Sequence, residues 1–553
     1  MKGTGVSKGF AIGPAVTVAA APGFDPAEPA TTDAAAGSDK VRSALQLVAD
    51  GLRARADTVT DDAKAVLEAG AMIAQDPSLA DSIDEHLKTG TGLTRSVHDA
   101  VDEYAAMLNS LGGYMAERVT DLFDVRDRVI ARLLGQPEPG VPTLTEPSIL
   151  VAQDLAPAET VLLDPALCLG IVTALGGPTS HTAILANQLG IPAVVQVHDL
   201  DIATGTLLAI DGGTGEVFVN PSSDEQAKLR ARQARRTAAL SDSSAPGATK
   251  DGHPVALLAN IGSVADAEAA AAQAVEGVGL FRTEFLFLDR TDAPSVAEQT
   301  ETYTAVLKAF GKRHVVIRTL DAGADKPLAF ADLGPEENPA LGRRGLRLGQ
   351  ARLDILDDQL KALGAAHQAL GADVWVMAPM VGTVQETEWF TQRVRAAGLP
   401  MAGVMIEIPA AALRSQQILA VADFASLGTN DLQQYTMAAD RLRGELGELL
   451  DPWQPAVLDM IAAAAAGGIA TGKPVGVCGE SGGDPGLALV LTGLGVTSLS
   501  MAPKKVAAVR TSLAAHTLAR CQEIAAAARS ASGPAEAKQA VLAMADPVLR
   551  ELI

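Results

Sequence analysis

The sequence predicts a multidomain α/β protein: a C-terminal (β/α)8 barrel behind an N-terminal α/β domain that carries an inserted helical subdomain. Three observations predict it. Beyond Pro254, eight buried-strand candidates alternate with Ala-rich helical stretches, the pattern of parallel strands and crossover helices closing on themselves. Residues 1–20 and 145–222 have the period of strands, whereas Ser38 to Leu134 between them has the period of helices. The chain has 553 residues, and a single core stops growing at roughly 250–300 residues.

In chain order, GVSKGFAIGPAVTV reads as a short β segment ending in the loop APGFDPAEPATT. Lys2 and Lys8 before an apolar run resemble an export signal, but Pro14 and the glycines interrupt the run, so the strand reading is preferred. From Ser38 to Leu134, Leu45, Val48, Leu52, then Val66, Leu67, Met72 and Ile73 recur at helical spacing. Breaks at Asp76-Pro77, Gly90–Gly92 and Gly112-Gly113 divide this stretch into roughly five helices. GQPEPGVPTLTEPS is a proline-rich linker. After it, SILVAQ, ETVLLD, GIVTALGG, IPAVVQV and a hairpin around DGGTG read as strands, with one helix after Gly176-Gly177. Residues 223–252, a charged helix without an apolar stripe and a Ser/Gly/Pro loop, read as a linker and hinge.

Residues 253–553 form the predicted barrel. Its strands are VALLAN (255–260), GVGLFR (277–282), VVIRTLD (315–321), VWVMAPM (374–380), GVMIEIP (403–409), FASLGTN (424–430), PVGVCGE (474–480) and VTSLSMAP (496–503). The uncharged stretch 486–503 is nearly long enough to span a bilayer. Its internal Gly, Thr and Ser favour a buried helix followed by a buried strand. No fixed-period repeat is visible, which excludes a solenoid.

Composition narrows the function. Lys and Arg number 44 against 66 Asp and Glu, a net charge of −22. That balance argues against a nucleic-acid binder, which needs clustered cations for phosphates. Hydrophobic residues make up 48% and charged residues 20%, so general disorder is excluded. Cys168, Cys478 and Cys521 cannot build a disulfide framework and fit a reducing, cytoplasmic compartment.

In a (β/α)8 barrel, chemistry sits at the C-terminal ends of the strands. The candidates end in Asn260, Arg282, Arg318 with Asp321, Met380, Glu407, Asn430-Asp431, and Cys478 with Glu480. Two arginines converging with two carboxylates specify a small anion and a divalent cation. Arginine presents a planar fork to phosphate or carboxylate, and Glu407 and Asp431 offer hard oxygens for Mg2+. Arg282 has a plainer reading, pairing with Glu284. Glu407 inside an apolar strand is costly unless paired or metal-bound. Cys478 is either a small buried hydrophobe or a thiol acid–base group.

The smaller domain carries GGPTSHTAILANQLGIPAVV. Gly176-Gly177 permits a tight turn, Thr179 or Ser180 can cap the next helix, and His181 falls in its first turn. The positive helix end disfavours imidazolium and leaves a nucleophilic nitrogen; a phosphate placed there would meet free backbone N–H groups. None of His86, His98, His198, His253, His314, His367 and His516 has comparable surroundings.

At these residues the chain resembles the Enzyme I family of the bacterial sugar phosphotransferase system, the phosphoenolpyruvate–protein phosphotransferases. The resemblance covers essentially the whole chain in the family's domain order. GGPTSHTAILAN is similar to the phosphohistidine motif, which implies phosphorylation of His181 at Nε2. GVGLFRTEFLFLDR and VVIRTLDAGADKP imply Arg282 and Arg318 as phosphoenolpyruvate ligands, and VMIEIPAA implies Glu407 as a metal ligand. SLGTNDLQQYTMAADR implies Asn430, the second metal ligand Asp431, and Arg441 on the substrate. VGVCGE implies Cys478 as the proton donor.

The implied domains are a swivelling phosphohistidine domain (1–20 and 145–222), a helical carrier-binding subdomain (25–144), and a barrel that binds phosphoenolpyruvate and dimerises. The implied cofactor is Mg2+ and the implied partner is the phosphocarrier protein HPr. The chain departs from the family at Pro178 and near Asn187, where basic residues are usual, at Ala324, and at Ser481-Gly482. A phosphoenolpyruvate synthase or pyruvate phosphate dikinase is the neighbouring reading, but residues 1–145 hold no ATP-binding domain and no GxxxxGK[ST]. An inactive regulatory homologue is the other, opposed by the presence of every implied site residue.

Overall fold

In the computed structural model the chain divides into two units, Met1–Gln233 and Ala234–Ile553. The structure describes all residues except 19–21, 23, 25–27, 57–60, 112–118, 143, 156–162, 178–179, 199, 241–244, 289, 324–327, 332, 442 and 553.

The first unit opens with β1 (Thr4–Ser7) and β2 (Phe10–Thr17) and then turns helical: α1 (Ala34–Ala56), α2 (Asp61–Ala74), α3 (Pro77–Lys88), α4 (Leu93–Leu111) and α5 (Val119–Leu134). The break read at Asp76-Pro77 is a helix start. The Asp76 carboxylate accepts from Ser78 N at 2.8 Å, and Pro77 stands where no N–H is needed. Leu45, Val48, Leu52 and Leu67 are buried with Ile83, Val101 and Val129 in one core. Met72 departs from the predicted seam: it is 65% exposed, with Ala71 and Ala74 filling the buried positions of that turn.

The sheet of this unit holds seven strands in the order β1-β5-β4-β3-β2-β6-β7, with β3 (Ser148–Ala152), β4 (Cys168–Thr173), β5 (Ala193–Val195), β6 (Leu207–Asp211) and β7 (Glu216–Val219). Strand β2 pairs parallel with β3 and antiparallel with β6. The apolar run at the N-terminus is therefore a strand, as its Pro and Gly content indicated, and it lies between two others. Strands β6 and β7 form the expected hairpin. Most of the segment ETVLLD lies outside the described residues. Helix α6 (His181–Leu189) follows β4.

Helix α7 (Ser223–Leu240) contains the boundary between the units. On its first-unit side Arg232 Nη1 lies 2.6 Å from the buried Asp211, and on its second-unit side Arg235 Nε lies 3.1 Å from Glu551.

In the second unit all eight predicted strands form and close into a parallel barrel: β8 (Ala256–Ile261), β9 (Val278–Phe281), β10 (Val315–Arg318), β11 (Val374–Ala378), β12 (Met401–Ile406), β13 (Phe424–Leu427), β14 (Val475–Val477) and β15 (Ser498–Met501). Period-2 alternation sends one set of side chains outward to the helices and the other inward. Leu280, Val316, Met377, Met405 and Phe424 form an inner cluster that includes Cys478. Among the surrounding helices are α8 (Val296–Phe310), α9 (Leu353–Leu370), α10 (Thr429–Met437) and α11 (Pro485–Gly493). The uncharged stretch 486–503 is α11 with Leu487–Leu491 buried, then β15. Among the described residues no helix is long and apolar enough to cross a membrane.

Candidate active site

The strands stop where the polar residues begin. Strand β12 ends at Ile406, one residue before Glu407, and β14 ends at Val477, one residue before Cys478. Arg318 is the last residue of β10, and Asn430 and Asp431 sit in the first turn of α10. All seven barrel residues predicted for the site line one cavity of about 430 Å³: Arg282, Arg318, Glu407, Asn430, Asp431, Arg441 and Cys478.

Arg318 is the centre of its charge pattern. Its Nη2 lies 3.0 Å from Glu284 and its Nη1 lies 3.1 Å from Asp321. Burial alone would lower its pKa, but Glu284, Asp321 and Glu407 outweigh it and hold the guanidinium charged. Its Nε is buried with no hydrogen-bond partner among the described residues. Glu284 thus serves Arg318, not Arg282 as the plainer reading had it. Arg282 is exposed and lines the same cavity.

Glu407 is 1% exposed, and its Oε1 accepts from Met380 N at 2.8 Å. Met380, at φ 57°, holds a left-handed conformation that non-glycine residues rarely adopt. Burial, with the nearby Asp431 and Asp321, pushes the Glu407 carboxyl up to about 8. Gly428 makes room for it, since a Cβ there would sit 2.7 Å from Glu407 Oε2. Asn430 Oδ1 accepts from Glu480 N at 3.4 Å, and Arg441 Nη1 lies 3.7 Å from Asp431. Cys478 is 2% exposed, with Sγ 3.5 Å from Leu427 O. Burial pushes its thiol up to about 11, against the opposing effects of Ser426 and Arg318.

Sequence reasoning missed Arg344. It is 1% exposed, donates from Nε and Nη2 to Asp321 at 3.1 Å, and grips Asp431 from Nη1 at 2.9 Å and Nη2 at 3.1 Å. It lies in the irregular run ENPALGRRGLR, where a pair of arginines normally reads as a solvated surface. Arg343 is exposed and pairs with Glu336. We expect Arg344→Met to cost about 3–5 kcal/mol of barrel stability, because it takes the shared guanidinium from two buried carboxylates and leaves Asp431 only the looser contact with Arg441. Urea unfolding of the purified variant checks this, and an unchanged midpoint would contradict it.

His181 lies in the first unit, away from this cluster in sequence. It is the first residue of α6, and the Ser180 hydroxyl caps the helix by accepting from Ala183 N at 3.3 Å. Of the two cap candidates Ser180 is the one observed; Thr179 and Pro178 lie outside the described residues. Gly176 has φ 85°, as the tight turn requires, and an added Cβ would crowd Ser180 Oγ at 3.2 Å. Asn187, where the family carries a basic residue nearby, donates from Nδ2 to Val6 O at 2.6 Å and so ties α6 to β1.

A parallel barrel with arginines and buried carboxylates at its mouth, joined to a helix-capped histidine, defines a class of phosphoenolpyruvate-using enzymes. Family models agree: "PEP-utilising enzyme, PEP-binding domain" matches residues 236–518, "PEP-utilising enzyme, N-terminal" matches 2–118, and "PEP-utilising enzyme, mobile domain" matches 144–215. The Phosphoenolpyruvate-protein phosphotransferase of Streptomyces coelicolor is 52% identical over 549 residues, 98% of this chain and 99% of that protein. A protein of the same name from Haloferax volcanii is 39% identical over 85% of each chain. The Multiphosphoryl transfer protein of Xanthomonas campestris is 41% identical over 83% of this chain and 57% of its own length. The chain belongs to the phosphoenolpyruvate–protein phosphotransferase family.

Proposed function

We propose that the chain transfers the phosphoryl group of phosphoenolpyruvate to Nε2 of His181 and then to a histidine of the carrier HPr, releasing pyruvate as the first step of phosphotransferase-system sugar uptake. The observation that carries this is the single cavity joining Arg318, Glu407, Asp431 and Cys478. In the first half-reaction the bond between phosphorus and the enol oxygen breaks and a P–N bond forms on His181. Arg282, Arg318 and Arg441 orient the anion and neutralise the charge of the transferring group, with Asn430 as a further donor. The enolate left behind takes a proton on its methylene carbon from Cys478, giving pyruvate, and the thiolate recovers a proton from solvent.

The residues present fit Mg2+. Glu407 and Asp431 are buried carboxylates on one cavity, and burial together with the like charge of Asp431 pushes Glu407 up. Each oxygen that Arg344 engages on Asp431 keeps a second lone pair. Among the described residues no group of three or more His, Cys, Asp or Glu side chains could hold a metal ion, and Mg2+ bound by two carboxylates completes its shell with substrate oxygens and water. Bound there, Mg2+ supplies positive charge to the substrate oxygens.

Carrier docking on residues 25–144 is supported by the exposed Met72 and Met107 and by the exposed acid of Asp81 and Glu103. A hinge at 223–252 is supported by the unit boundary inside α7. Dimerisation through the barrel has apolar surface in Leu413 (65% exposed) and Ile469 (70% exposed). A cytoplasmic location agrees with the three free, buried cysteines. The test is incubation with labelled phosphoenolpyruvate and Mg2+, without ATP. Acid-labile, base-stable label is expected on the protein, and EDTA is expected to prevent it. Labelling that requires ATP, or proceeds unchanged in EDTA, would refute the reading.

A further inference from the structure

Behind the arginine side of the cavity lies a buried polar chain that touches no substrate-facing atom. We infer that Gln359 is a positioning residue for the anion site: through Thr283 and Leu320 it fixes the ends of the two strands that carry Arg282 and Arg318. The inference rests on the proposed role of these arginines as phosphoenolpyruvate ligands.

Gln359 stands in α9 and is 0% exposed, as are Thr283 and Tyr303. Its Oε1 accepts from Leu320 N at 3.0 Å. Its Nε2 donates to Thr283 Oγ1 at 3.2 Å and to Tyr303 OH at 3.0 Å. Thr283 Oγ1 in turn donates to Arg318 O at 2.8 Å. Tyr303 OH donates to Gln299 Oε1 at 3.2 Å, and Gln299 Nε2 donates to Pro294 O at 2.9 Å. The chain of donors runs one way only. A flipped Gln359 amide would set its NH2 against the Leu320 N–H and its oxygen against groups that already use their protons.

These bonds grip the backbone on both sides of the chemistry. Thr283 lies between Arg282 and Glu284, and Leu320 lies between Thr319 and Asp321. Glu284 and Asp321 are the two carboxylates that hold the Arg318 guanidinium, and Asp321 N donates to Glu284 Oε1 at 3.1 Å. Loss of the Gln359 amide leaves the Leu320 N–H unpaired in an apolar setting and frees the Thr283 hydroxyl to turn from Arg318 O. Both loops that present the arginines then lose their common anchor, and the guanidinium forks no longer meet the anion in register, which weakens its binding.

The experiment compares four variants of the full chain: Gln359→Met, Thr283→Val, their double, and Leu363→Ala, a core truncation on the same helix. Arg318→Ala runs alongside. Steady-state kinetics with phosphoenolpyruvate are read together with thermal midpoints. Gln359→Met and Thr283→Val are each expected to raise KM for phosphoenolpyruvate about ten-fold, a change in ground-state anion binding. The double variant is expected to match the larger single effect, because both break one chain. Leu363→Ala is expected to lower the midpoint and leave KM in place.

If Gln359→Met keeps a normal KM while Arg318→Ala raises it, the positioning role is overturned and the arginine site stands. If Arg318→Ala itself leaves KM unchanged, the site reading fails. If Leu363→Ala raises KM as much as Gln359→Met, the effect is general loosening of the barrel and the positioning role is likewise overturned.

Discussion

His181→Ala is expected to abolish labelling of the chain by phosphoenolpyruvate altogether, since it removes the atom that accepts phosphorus. The histidine opens α6, where the first N–H groups have no partner within the helix. The Ser180 hydroxyl takes one of them, from Ala183. A phosphoryl dianion on the first residue gains from the rest and from the helix dipole, by about 0.3–1 kcal/mol where exposed and more where partly buried. The variant retains the cap, the turn at Gly176 and the whole barrel, so its phosphoenolpyruvate binding is expected to be normal. Label retained on His181→Ala protein would place the phosphohistidine elsewhere.

The second large effect is on Cys478→Ala, which is expected to bind phosphoenolpyruvate and lose turnover by roughly 10²–10⁴-fold, the range that a positioned proton donor contributes. The geometry argues for donation. The thiol is buried in the barrel's inner cluster beside Met405 and Phe424, and burial pushes it up to about 11. A raised thiol pKa means the neutral, proton-bearing form is kept as pH rises toward that value. The donor is therefore loaded throughout the physiological range. Equilibrium binding and steady-state rates, measured on the same preparation, separate the two functions. A normal steady-state rate would remove Cys478 from the mechanism.

Much of this was legible because barrels impose a rule on sequence. Parallel strands buried on both faces read as apolar runs, and the residue that ends such a run is forced to the mouth. Glu407, Cys478 and Asp431 were found this way. The strand ends were read too long, however: VVIRTLD ends as a strand at Arg318, and FASLGTN ends at Leu427. Among the surplus residues Leu320, Asp321, Gly428 and Asn430 line the cavity. They leave the ladder because their side chains and backbone turn toward the cavity.

Arg344 and Gln359 were not legible, for different reasons. Arg344 sits in an irregular Pro- and Gly-rich loop, where no period exists to assign an inward face. Gln359 sits on a helix whose buried face is otherwise apolar, with Ile355, Leu356, Leu360 and Leu363 among it, and a lone amide there looks like a lapse in an apolar stripe. Met72 erred the other way, an apolar residue at an apparently buried spacing that the fold leaves exposed.

By itself the sequence determined the eight-stranded barrel, the split first unit and six of the barrel residues that line one cavity, because periodicity and chain order are local properties; Arg441 came only from the family resemblance. Only the tertiary structure decided which charges neutralise which. Arg318 takes Glu284 and Asp321, and Arg344 takes Asp321 and Asp431 across 87 positions of sequence. Pairing energies depend on distance and burial, and both are fixed only when separate strands close into one ring.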